Sequence, residues 1–254
     1  MIRGLYTAVS GMISLEAKQS SITSNLANIN TNGYKAEEVN LKSFDEVMIQ
    51  NRDNKNNVTK GIGTLSLGVQ IDGTSIRKEQ GILKATDKTT DFAIDDEGYF
   101  IVNRGNENYY TKNGSFRVST NGYLVNSSGL NVMGINKRTN NLEPIYVGTD
   151  NFVMNDRNEL SVNGEEAVYK IATATFDKDE DISKIGENLY SSQNPNLNSV
   201  VYIAQGALEE SNVNLVDEMV NMLSVMRAFE TNQKIVQSID ETLGKAANEI
   251  GSVR

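Results

Sequence analysis

From Leu5 onward the positions Leu5, Ala8, Met12, Leu15, Gln19, Ile22, Leu26 and Ile29 recur at spacings of three and four. That is a 3.5-residue seam, and it predicts a helix over residues 3–29, roughly 40 Å long at the usual rise. Gln19 is its one polar member, a kind of position often kept for register at some cost in stability. The carboxyl end repeats the pattern over a greater length, through Leu215, Met219, Met222, Met226, Phe229, Val236, Ile239, Leu243, Ala246 and Ile250, with a sideways hop near Asn232 and Gln233. Asn214 followed by Asp217 is close to a capping box, and it predicts a helix over 215–250, roughly 54 Å long. The run of Met219, Met222 and Met226 makes a deformable packing surface.

Between these ends the period changes. Tyr99-Phe-Ile-Val102, Ser115-Phe-Arg-Val118 and Val168 to Phe176 are short β-branched and aromatic runs, and turn dipeptides separate them: Asn-Gly at 113, 121 and 163, Asp-Gly at 72. Residues 36–68 are polar without a clean period and read as an extended connector or mobile loop. The fold class expected is α+β, with long N- and C-terminal α-helices forming a coiled-coil-like helical domain that brackets an all-β middle domain. The boundaries expected are 1–35 together with 209–254 for the helical part, 36–68 for the connector and 69–208 for the β domain. The two terminal stripes can close on each other or be completed by other subunits, and the sequence leaves both open.

Composition removes most catalytic chemistry. The 254 residues contain no Cys and no His, which excludes disulfides, thiolate or imidazole metal sites and every Ser-His-Asp arrangement. A net charge of -9 argues against nucleic acid and anionic lipid as partners. The amino-terminal apolar run is broken by Gly4, Thr7, Ser10 and Gly11, so no cleavable signal is expected. Asp177, Asp179 and Asp181 have the spacing of a calcium loop, but Ile182 stands where Gly is required and Asn188 where a bidentate Glu is required, which leaves a solvated acidic loop. Asp95, Asp96 and Glu97 read more simply as a turn than as an acid–base pair, and Gly61, Gly63 and Gly68 lack the Lys-Ser/Thr of a phosphate loop. Neither a catalytic residue, a metal nor a cofactor is expected, and no small-molecule substrate.

The segment that ends the first helix, Asn25-Leu26-Ala27-Asn28 and then Thr31, Gly33, Tyr34 and Lys35, is physically a helix stop: asparagines that bond their own backbone, and a glycine free to take positive φ. It also resembles the amino-terminal signature of the flagellar rod and hook protein family. Gln80 to Leu83, Asp91 to Asp95 with Gly98 to Phe100, Tyr110 to Phe116, Gly186 to Tyr190, Gln205 to Leu208, Ser211 to Val213 and Arg227 to Glu230 resemble further blocks of that family in the same order. The resemblance implies a non-enzymatic structural subunit of the basal-body rod, polymerising helically into a hollow drive shaft that carries torque from rotor to hook. It implies as partners further copies of itself, other rod and hook subunits and the flagellar export apparatus, and a location in the basal body beyond the cytoplasmic membrane. Within the family the middle β domain is similar to that of the distal rod and of one proximal rod subunit. The distal reading is preferred, with the proximal one as the alternative and a hook-type subunit behind both. The seam residues of both helices are the expected subunit interface.

Overall fold

The computed structural model describes residues 2–53, 58–105, 107–162, 167–176, 182–197 and 201–251. Two long helices stand at the ends of the described chain, α1 over Ile2–Ala27 and α2 over Leu215–Gly251, with short strands between them. The class is α+β. No helix is long and apolar enough to cross a membrane among the described residues. The chain divides into two compact units: residues 1–26, 37–75 and 215–254 in the first, 27–36 and 76–214 in the second. These limits differ from the sequence boundaries, because strands from Glu37 onward go with the helices and because residues 27–36 and 209–214 go with the β strands.

In the first unit the two helices run antiparallel. A Cβ on Gly4 would lie 3.7 Å from Ile239 Cδ1 and one on Gly11 would lie 3.3 Å from Asn232 Nδ2, while Asn25 reaches Glu218. The inward stripe of α2 is Glu218, Met222, Val225, Phe229, Asn232, Val236, Ile239, Leu243 and Ala246, all buried or half-buried at spacings of four and three. Asn232 is therefore part of the stripe, and there is no sideways hop. On α1, Ala8 and Ile22 are buried, Leu5, Met12, Leu15 and Leu26 half-buried, and Gln19 is exposed. Gln19 thus leaves the seam, and the half-buried Lys18 takes the adjacent position.

The described residues of 36–68 are extended but are not a plain connector. Glu37–Ser43 pairs with Val69–Ile76, and Val47–Asp53 forms a hairpin with Val58–Leu65 that shifts register between Ile49 and Gln50. Asp72 and Gly73 lie inside Val69–Ile76 rather than in a turn, so a two-stranded ribbon has absorbed a turn dipeptide.

The second unit is built on one antiparallel sheet. Its strands run side by side as Phe152–Met154, Glu159–Val162, Tyr169–Ile171, Asn131–Asn136, Tyr99–Arg104, Glu107–Thr111, Leu189–Ser191 and Ser183–Gly186. Tyr99–Arg104 shows why these residues form its centre. Successive side chains leave a strand on opposite faces, and here both faces are covered. Phe100 and Val102 enter a core with Phe92, Phe116, Leu124 and Ile145, whereas Tyr99 and Ile101 enter another with Tyr110, Phe176 and Tyr190. Rings interlock in each: Phe100 meets Phe116 edge-on at 5.1 Å and Tyr110 meets Phe176 at 5.0 Å. Of the turn dipeptides, Asn121-Gly122 makes the tight turn between Arg117–Val118 and Leu124–Val125, with Gly122 at φ 82°. Asn163 and Gly164 lie outside the described residues.

Candidate functional site

The segment after α1 threads into the second unit. Thr31 N–H donates to Asn28 O, closing the helix end, and Gly33 then takes φ 66°. A Cβ on Gly33 would come within 2.5 Å of the Lys112 and Asn113 backbone, so only glycine fits both the turn and the space. Gly33 N–H donates to Glu209 O at 2.7 Å, and Asn188 Nδ2 donates to Asn32 O at 2.9 Å. Tyr34 is 2% exposed, packed with Ala36 and Val213 and lying under the Lys184 ammonium, which stands 4.2 Å from the ring centroid. Asn212 ties the next turn of chain down: its Oδ1 accepts from Ala36 N–H at 2.8 Å, and its Nδ2 donates to Arg77 O and Glu79 O.

Lys35 lies at the bottom. Its Nζ is 2.7 Å from Glu209 Oε1 and donates to Glu79 O, and both side chains are almost completely buried. Glu209 Oε1 also accepts from Gly81 N–H at 3.0 Å, while Oε2 stands 3.6 Å from Lys112 Nζ. Lys112 is buried as well, donates to Asp96 O and lies over the Tyr99 ring. Burial pushes its ammonium down to about 8, against the pull of the Glu209 carboxylate and with the push of Lys35. Two ammonium groups thus share one carboxylate in a nearly dry site. A cavity of about 20 Å³ beside them is lined by Lys35, Lys78, Glu97, Tyr99 and Lys112, room for about one water.

In the first unit Asn25, 2% exposed, ties the end of α1 to the start of Glu37–Ser43 and to α2. Its Oδ1 accepts from Glu37 N–H and its Nδ2 donates to Glu37 O, both at 3.0 Å, and also to Glu218 Oε1 at 3.3 Å. The motif read as a helix stop is therefore a clamp. Asn25, Asn28, Thr31, Gly33, Tyr34 and Lys35 each have a placed role, and Leu26 and Ile29 are half-buried. Glu209, Lys112, Asn188 and Asn212 escape sequence reasoning as its partners. They lie far along the chain, and no local pattern announces that they meet Lys35 or its neighbours.

The remaining candidates fall into two groups. Leu215, Met219 and Met226 point outward on α2, 48%, 53% and 44% exposed, and with Val216, Val220 and Leu223 they form an apolar face distinct from the inward stripe. Met222, Phe229, Val236, Ile239 and Leu243 lie on the inward stripe; Ile250 lies in α2. Asp95, Asp96 and Glu97 form an exposed turn between Phe92–Ile94 and Tyr99–Arg104; Asp95 accepts from Gln80 Nε2, and Asp96 Oδ1 from Glu97 N–H. Asp177, Asp179 and Asp181 lie outside the described residues. Among the described residues no group of acidic side chains could hold a metal ion.

The described residues thus make terminal helices, a two-faced β body and a buried clamp between residues 31–36 and 209–213. Three family models match successive parts of it: "Flagella basal body rod protein" over 5–35, "Flagellar hook protein FlgE/F/G D1 domain" over 93–168 and "Flagellar basal body rod FlgEFG protein C-terminal" over 204–249. The chain is 31% identical over 258 residues to the flagellar basal-body rod protein FlgG of Buchnera aphidicola subsp. Baizongia pistaciae, covering 96% of this chain and 98% of that one. It is 29% identical over 266 residues to FlgG of Bacillus subtilis, 98% and 99% covered. It is also 29% identical over 277 residues to the flagellar hook-basal body complex protein FlhO of Bacillus subtilis, covering both chains completely. The chain belongs to the flagellar basal-body rod protein family, close to FlgG. It is a structural subunit of the basal-body rod and assembles there with other flagellar components, in a family of structural rod proteins.

Proposed function

We propose that the chain builds the distal part of the rod, polymerising helically into a hollow shaft that carries torque from the rotor to the hook. The observation that carries this reading is the outward apolar face of α2, Leu215, Val216, Met219, Val220, Leu223 and Met226, left over after the inward stripe has met α1. Tyr6, Val9 and Ile13 give α1 an outward apolar face too. A subunit carrying such faces gains by covering them with copies of itself. A contact between unlike faces that does not close on itself makes a filament from one kind of subunit. In this reading the terminal helices form the coiled-coil-like polymerisation domain. Leu5, Ala8, Met12, Leu15, Ile22, Leu26, Met222, Phe229, Val236, Ile239 and Leu243 then hold the helix pair from within, and the outward residues join neighbours. The β unit stiffens the shaft. The subunit reaches its place through the flagellar export apparatus, and it meets the hook or further rod subunits at its ends.

A proximal rod position is the second reading, since a similarity to the hook-basal body complex protein FlhO as long as that to FlgG does not single out the distal segment. Electron microscopy of the concentrated purified subunit tests the polymer. Straight tubular fibres that appear above a threshold concentration are expected, and a monomer at every concentration would count against it.

A further inference from the structure

Residues 31–36 sit in their socket like a plug, and the socket walls come from separate stretches: 77–81, 112–113, 188 and 209–213. Lys35 and the Glu209 that receives it are 174 residues apart. The buried charges are also uneven, because Lys35 and Lys112 share one buried carboxylate, the acidic turn of Asp96 and Glu97 beside them being exposed. Removing Glu209 would leave two buried ammonium groups side by side, the costly case for buried charge. Removing Lys35 leaves Lys112 and Glu209, which are balanced without it. Of the bonds to the plug's backbone, Gly33 N–H to Glu209 O and Ala36 N–H to Asn212 Oδ1 end on the same late stretch, while Arg77 N–H donates to Ala36 O from an earlier one.

We infer that Glu209 is the latch of a conformational device: it seats residues 31–36 in the β unit only when the chain through residue 213 is in place, and it lets that plug leave without unfolding the β core. A chain that is made or delivered amino end first cannot seat the plug until nearly all of it has arrived. This consequence rests on the rod reading; the latch itself does not.

Native-state hydrogen exchange on the full-length chain tests it. The socket is read by the amides of Gly33, Ala36 and Arg77, and the core by those of Leu124 and Ile145, which donate to Ile145 O and Val132 O. Glu209→Gln should speed exchange at the three socket amides by roughly 100-fold or more while the core amides change less than about threefold. Adding Lys35→Met to Glu209→Gln should recover about tenfold of that loss, since one of two orphaned ammonium groups is gone. If Glu209→Gln does not fold, Lys35→Met alone gives the same reading, because it keeps the Lys112–Glu209 pair: faster socket exchange over an unchanged core. Socket amides unmoved in both variants would overturn the latch. So would equal acceleration at Leu124 and Ile145, or a double variant no better protected than Glu209→Gln.

Discussion

Lys112 is the residue whose chemistry is most displaced by the fold. Its ammonium is held down to about 8 by burial, against about 10.4 in an unfolded chain. The unfolded chain therefore binds the extra proton between these values, and stability rises as pH climbs through that window. The groups that face it are Glu209, Lys35 and the turn of Asp96 and Glu97. Urea unfolding followed by tyrosine fluorescence should gain on the order of 2 kcal/mol between pH 7 and 9.5, and Lys112→Met should abolish the gain. Above pH 10 the trend should turn over, since burial raises the Tyr110 phenol and its folded form resists ionisation. Gly33 gives a second prediction at this scale. Gly33→Ala must accept both φ 66° and a Cβ within 2.5 Å of two backbone atoms, so a loss of at least about 2 kcal/mol is expected from the same unfolding curves.

The elements differ in how much of them the sequence shows, and the reason is what each one buries. Both helices are legible, because an amphipathic period written over more than twenty residues survives local exceptions. The seam of α2 is less so. Polar residues occupy it wherever α1 offers a small or polar partner, Asn232 opposite Gly11 and Glu218 opposite Asn25. The first half of α2 also carries two apolar faces, so a single stripe drawn through Leu215, Met219, Met222 and Met226 mixes residues that point apart. Glu37–Ser43 and residues 47–50 and 61–65 of the hairpin bury little on either face, hence they show no sustained alternation and read as loop. Tyr99–Arg104 buries both faces and reads plainly. The motif was legible as a helix stop from its asparagines and glycine, while its clamp role depends on Glu209 and Asn212, which no local pattern connects to it. At this scale Phe229→Asp should place an unpaired charge in the helix seam at a cost of roughly 3 kcal/mol. Circular dichroism should show loss of helix with the β signal retained.

For the whole molecule the division of labour is between a β unit that closes its own core and helices that keep apolar faces open. Burying a Val or Leu side chain contributes roughly 1.5 to 3 kcal/mol, and a filament repeats that contribution at every subunit. The outward face should therefore be dispensable for the fold and required for the rod, the reverse of the inward stripe. Val220 and Leu223, 56% and 55% exposed, make that distinction most sharply. The decisive measurement is electron microscopy of basal bodies isolated from a strain whose only copy carries Val220→Asp and Leu223→Asp, with the purified variant checked by circular dichroism. The expected result is a subunit with unchanged helix content and basal bodies that lack the rod segment it builds. Complete rods from that variant would mean that the outward face of α2 is not an assembly surface, and the account of how the subunit joins its neighbours would be contradicted.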